Sequence, residues 1–87
     1  MHETALVRDV VQQMVKLARS AGACRVAHAK IWLGALSHLS AEHFRDHFAL
    51  EAEDTIAAHA ALQIEVSDDP DHAHAQHVRL ESVALEE

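Results

Sequence analysis

The chain opens Met1-His2-Glu3, and a histidine at the second position can chelate a metal together with the chain end. The Met1 α-amine, the deprotonated main-chain nitrogen of His2 and the His2 imidazole can share one equatorial plane. An all-nitrogen planar set of this kind suits Ni(II) or Cu(II), with one further ligand closing the square. An early histidine is on its own more often inert, so the metal reading depends on the rest of the chain.

A second concentration of ligand types is Ser67-Asp68-Asp69-Pro70-Asp71-His72-Ala73-His74-Ala75-Gln76-His77. His72 and His74 would project to one side of an extended segment, His77 could swing in, and the three aspartates offer hard oxygen donors. The alternative is a solvated turn that is rich in histidine. Ordering entropy of free loop ligands, with no residue in sight to orient them, favours the turn. A weak, transient nickel or zinc site stays open, as does a fourth nitrogen donated to a site at His2. His43 and His47 have the i, i+4 spacing of a helical metal pair, but no glutamate follows His43 and no third ligand is evident, so they read as a solvated helix face. His28 and His38 read as surface residues, and His59 as turn surface or partner contact.

At 87 residues the chain is one domain, 1–87, with a thin core: of the 49% hydrophobic residues seventeen are alanine and only Trp32, Phe44 and Phe48 are aromatic. Fourteen acidic against seven basic side chains give a net charge of -7, which repels phosphate backbones and anionic membranes. Nine histidines mean that this balance moves on mild acidification. Cys24 is the only cysteine, so neither a disulfide within the chain nor a thiolate zinc site can form. Its place in a predicted strand makes it a buried thiol rather than a nucleophile. Arg8, Asp9, Gln12 and Gln13 interrupt the early apolar residues, leaving no signal peptide or membrane span, and the chain reads as cytoplasmic.

The elements that must position these groups follow from periodicity. Leu6, Val10, Met14, Leu17 and Ala21, widened by Val7, Val11 and Ala18, predict a helix from about Glu3 to Ala21, capped by Gly22. Ala27, Ala29, Ile31 and Leu33 alternate with Val26, His28, Lys30 and Trp32 in a strand over 24–33 ended by Gly34. Trp32 is then either an exposed contact or is partly buried against a loop. Ser40 caps a second helix running to about Ala52, with Leu39 packing on Phe44 as a staple. Leu62, Ile64 and Val66 mark a second strand. Val78, Leu80, Val83 and Leu85 mark a third, bulged near Ser82, with 67–77 as the loop between them. The order α-β-α-β-β predicts an α+β fold of two layers, with two helices on one face of a small three-stranded sheet. The two sheet edges leave a homodimer open.

With these elements in place, Met1-His2-Glu3, Arg25-Val26, Ile31-Trp32-Leu33-Gly34, Leu36-Ser37, Phe44, Phe48, Thr55, Ala57, Leu62-Gln63-Ile64-Glu65 and Arg79-Leu80-Glu81-Ser82-Val83 resemble the hydrogenase nickel-incorporation proteins, HypA/HybF. The resemblance covers nearly the whole chain apart from the loop. It implies a nickel metallochaperone loading Ni(II) into [NiFe]-hydrogenase, or urease. The implied partners are a HypB-type GTPase and the hydrogenase large subunit, and nickel would be held transiently around His2, with Glu3 in the same region. Members of that family carry a zinc module with two Cys-x-x-Cys pairs between the last two strands. Here the short histidine loop stands instead, and no structural zinc is expected. Ala35, where an acidic residue commonly follows the glycine, and His59-Ala60 in place of Gly-Ala are lesser departures.

No phosphate loop, nucleophile elbow or base beside Cys24 supports an enzyme. The expected activity is carriage and transfer by a chain-end site with exchangeable ligands. The competing readings are a degenerate member serving as an interaction module without metal, and a metal buffer using the histidine loop.

Overall fold

A computed structural model describes residues 3–87. Helix α1 spans Glu3–Ser20 and buries Val7, Val10, Val11, Met14 and Ala18. That stripe keeps the 3.6-residue period over about three turns. Leu6 and Leu17, expected at its centre, fall about 90° from its axis, so Leu6 is half-buried and Leu17 is 48% exposed. Ala21 lies beyond the helix and is exposed. The helix closes with paired bonds from Gly22 N–H to the Arg19 carbonyl (3.1 Å) and from Ala23 N–H to the Ala18 carbonyl (2.9 Å). Gly22 takes φ 71 to make them, a left-handed conformation that glycine adopts without strain.

Strand β1, Arg25–Leu33, is central. It pairs in parallel with β2, Ala61–Val66, and antiparallel with β3, Val78–Glu86, giving the order β2-β1-β3. Ile31 sits between Ile64 and Leu80, Leu33 between Val66 and Val78, and Ala29 between Leu62 and Val83. The β1–β3 register shifts twice, between Val26 and His28 and between Lys30 and Ile31. The second shift leaves Glu81 as the extra residue of a bulge beside Ser82, where one was expected. The first inserts Ala27 and reverses the alternation, since a bulge of one residue changes which face the next side chain takes. Val26, expected on the outer face, is therefore only 1% exposed.

Helix α2, Ala41–Glu51, carries the chain from β1 to its parallel neighbour β2. Ser40 Oγ accepts the His43 N–H at its start (3.1 Å), and Leu39, 6% exposed, lies beneath that turn with Phe44 in the core. Phe44 and Phe48 stack with ring centroids 6.1 Å apart. Both helices lie on the same sheet face, α1 over β1 and β3 and α2 over β2. That face supplies Val26, Ala29, Ile31 and Leu33, flanked by Leu62, Ile64, Leu80, Val83 and Leu85. On the opposite face His28, Gln63, Glu65 and Arg79 are exposed. The expected two-layer α+β arrangement is the one observed.

Cys24 departs from expectation. It stands just before β1 as an exposed free thiol, because the strand starts at Arg25 and only the Cys24 main-chain N–H is engaged, with the Glu86 carbonyl (2.7 Å). Arg25 and Glu86 then close the β1–β3 end through a two-pronged ion pair, with Nη2 to Oε2 at 3.0 Å. Those bonds lower the Glu86 pKa, and raise that of Arg25.

Candidate metal centre

Met1 and His2 lie outside the described residues, as does the side chain of Glu3. The described chain enters α1 at Glu3. The first turns of α1 border a cleft of about 240 Å³ lined by Leu6, Asp9, Val10, Gln13, Gln76, His77 and Val78. The end of the histidine loop and the first turns of α1 thus share one side of the molecule.

The loop is held there by main-chain bonds. Ser67 N–H donates to the Leu33 carbonyl (2.8 Å), Gly34 N–H to that of His77 (2.9 Å) and Leu36 N–H to that of Ala75 (2.7 Å). Ala75, 4% exposed, is pressed so closely on Gly34 that a Cβ at residue 34 would stand 2.2 Å from the Ala75 carbonyl oxygen. Gly34, read from sequence only as a strand terminator, is thus the seat of the loop. No local signal could show it, since its partner lies four tens of residues away in the chain. Inside the loop the turns repeat: Asp69 N–H donates to Ser67 Oγ (3.2 Å), Asp71 N–H to Asp69 Oδ1 (3.0 Å) and His74 N–H to His72 Nδ1 (2.9 Å).

The three loop imidazoles form a file. His72 lies on Trp32 with centroids 4.9 Å apart, which resolves the tryptophan as partly buried against a loop. His74 follows at 5.8 Å from His72, and His77 at 5.6 Å from His74. Among the described residues no group of three or more His, Cys, Asp or Glu side chains is assembled to hold a metal. His43 and His47 stay on the outer side of α2, the first exposed and the second half-buried, while His28, His38 and His59 are exposed. His38 takes φ 64 in the connection leading to α2.

A larger hollow lies elsewhere. About 540 Å³ in volume, it runs along α1 past Arg8, Val11, Gln12, Val15, Lys16 and Arg19, with Glu51 and Thr55 opposite. Arg8 Nε donates to Glu51 Oε1 (2.8 Å), and that hydrogen bond and charge raise the Arg8 pKa. No helix among the described residues is long and apolar enough to cross a membrane.

Comparison with known proteins places this arrangement. Residues 1–81 match the family described as hydrogenase/urease nickel incorporation, metallochaperone, hypA. Hydrogenase maturation factor HypA of Methanosarcina barkeri is 32% identical over 66 residues, covering 76% of this chain and 50% of its own length. Hydrogenase maturation factor HypA 1 of Bradyrhizobium diazoefficiens is 38% identical over 64 residues, covering 74% of this chain and 57% of its own. The chain therefore spans about half the length of the curated relatives it matches. The fold is that of the solution structure of the Ni metallochaperone HypA from Helicobacter pylori, with TM-score 0.79, 16% identity and 99% and 98% of the two chains covered. A second HypA solution structure aligns with TM-score 0.74 at 17% identity, covering 98% of this chain and 96% of that one. With a family match running from residue 1 to residue 81, the chain belongs to the HypA family of hydrogenase and urease nickel-incorporation proteins.

Proposed function

We propose that this chain is a nickel metallochaperone that holds Ni(II) at Met1-His2-Glu3 and surrenders it during maturation of a [NiFe]-hydrogenase or a urease. The observation that supports the reading most directly is that the family match begins at residue 1 and so includes that triad. The Met1 α-amine, the His2 main-chain nitrogen and the His2 imidazole supply three nitrogens for a planar Ni(II) site, with Glu3 in the same region. A site of this kind can be unloaded one ligand at a time by donors on a partner. A HypB-type GTPase and the enzyme's large subunit are the proposed partners, and a homodimer is compatible with the two free sheet edges. The reading is of a carrier, not an enzyme, in the cytoplasm. It needs no structural zinc, since Cys24 is the sole cysteine of the 87 residues.

Calorimetric and visible-absorption titration of protein beginning at Met1 with Ni(II), beside His2→Ala, tests this. A planar Ni(II) spectrum that saturates at one equivalent, and is lost in the variant, is expected. Equal behaviour of the two proteins would overturn the carrier reading in favour of an interaction module without metal duty.

A further inference from the structure

We propose that His74 and His77 form a second, open binding site for a borderline divalent cation, beside the beginning of α1, where nickel cargo is received in transit. The idea builds on the carrier reading but stands on different residues.

The geometry selects this pair from the three loop histidines. His72 is committed elsewhere: its Nδ1 accepts the His74 main-chain N–H at 2.9 Å, and its ring lies on Trp32. A neutral imidazole that accepts at Nδ1 carries its proton on Nε2, so neither nitrogen of His72 offers a lone pair without breaking the turn. Among the described residues, the side-chain nitrogens of His74 and His77 make no hydrogen bond, and both residues are exposed. Their rings stand at 61° with centroids 5.6 Å apart. Two imidazoles on one ion at a metal–nitrogen distance of about 2.0–2.1 Å place their centroids about 5.2 Å apart at a tetrahedral angle and about 4.5 Å apart at the right angle of a planar or octahedral nickel set. The pair, at 5.6 Å, stands within about 1 Å of both separations, a gap for rotation of two exposed side chains to close.

The ordering objection that favours a bare solvated turn is answered by the fold. The bonds from Gly34 to His77 and from Leu36 to Ala75 already fix the backbone that carries both rings, so metal binding has only two side-chain rotors to order. The surroundings suit a cation. Asp9 and Gln13 of α1 line the cleft that His77 enters, and the net charge of the chain is -7. Asp9 lies six residues after Glu3, about 9 Å along the helix axis. Two imidazole nitrogens select nickel, copper or zinc over magnesium or calcium. With no third side chain in place among the described residues, the remaining positions belong to water or to donors of an incoming partner, as a transfer site requires.

The test uses Ni(II) with four proteins: native, His2→Ala, His74→Ala/His77→Ala, and His43→Ala/His47→Ala as an equally histidine-depleted control. The native protein should take up two equivalents, the loop variant one with its planar spectrum intact, and His2→Ala one without it. Paramagnetic broadening by the second equivalent should fall on His74 and His77 and spare His43 and His47. The control variant should bind as the native protein does, and so should His72→Ala. Equal stoichiometry in the native and loop variants, or equal loss in the control, would overturn the proposal. Failure of the chain-start reading would show separately, as a planar spectrum absent from the native protein. Amide spectra of each variant report whether it is folded.

Discussion

Replacing Gly34 by alanine is a sharp perturbation, because the added methyl has one destination. Its Cβ would stand 2.2 Å from the Ala75 oxygen and 2.7 Å from that of His74. Both are main-chain atoms, so no side chain can turn aside and the loop must retreat by about 1 Å to reach ordinary contact. That displacement breaks or strains the bonds at 2.9 and 2.7 Å that join Gly34 to His77 and Leu36 to Ala75. At about 0.5–1.5 kcal/mol each their loss removes about 1–3 kcal/mol. Re-exposing the Ala75 methyl removes about 0.8 kcal/mol more. Against this, alanine restricts the unfolded chain and returns about 0.4–1 kcal/mol. The net loss is about 2 kcal/mol, which for a domain of this size lowers Tm by about 8–16 °C. Thermal unfolding measures the loss, and hydrogen exchange at the Leu36 amide shows whether the loop has come free. A Gly34→Ala protein with native Tm and a protected Leu36 amide would refute the reasoning. The same variant should weaken nickel uptake at His74 and His77 while leaving the planar chain-start spectrum unchanged.

Gly22→Ala should cost about 1–2 kcal/mol through backbone strain alone, since its φ is 71 and nothing lies within 4 Å of an added Cβ. Urea unfolding checks it, and no loss of loop protection should accompany the change. Glu86→Gln should flatten the acid limb of the stability profile. The Glu86 pKa is lowered in the folded protein, first by its hydrogen bonds to Arg25, so its contribution is complete above the unfolded carboxylate pKa and fades as pH falls through the folded one. Denaturant midpoints taken from neutral pH downward would show parallel curves for the two proteins if the pair were idle. Cys24, exposed in the folded state, should react with a thiol reagent at the rate of the urea-unfolded protein rather than waiting for unfolding.

Where a signal is local the sequence carried it well. The order of five elements, the Ser40 cap with its Leu39 staple, the Gly22 terminus and the bulge beside Ser82 all rest on residues within a few positions of one another. What failed depends on distant partners. Val26 faces the core because β3 imposes a bulge at Ala27, and no pattern inside β1 announces which residue a partner strand will skip. Cys24 is exposed because β1 begins one residue late. The parallel pairing of β1 with β2 follows from the α2 crossover and not from strand composition. For the metal ligands, residue type and spacing point to the chain start, while the separation of His72 from His74 and His77 needs coordinates, since it turns on which nitrogen a single main-chain N–H has claimed.

The loop between β2 and β3 leaves and rejoins the sheet at neighbouring points. Ser67 is bonded to the carbonyl of Leu33 and His77 to the amide of Gly34, so both ends are anchored to consecutive residues where β1 ends. The nine residues between those anchors form a closed excursion that passes over β1 from one edge strand to the other without bearing on the register of either. A fold built this way has a socket: whatever occupies it can be lengthened, shortened or exchanged while the sheet and both helices keep their places. Such a scaffold can carry a short histidine turn, as here, or a longer insert at the same address.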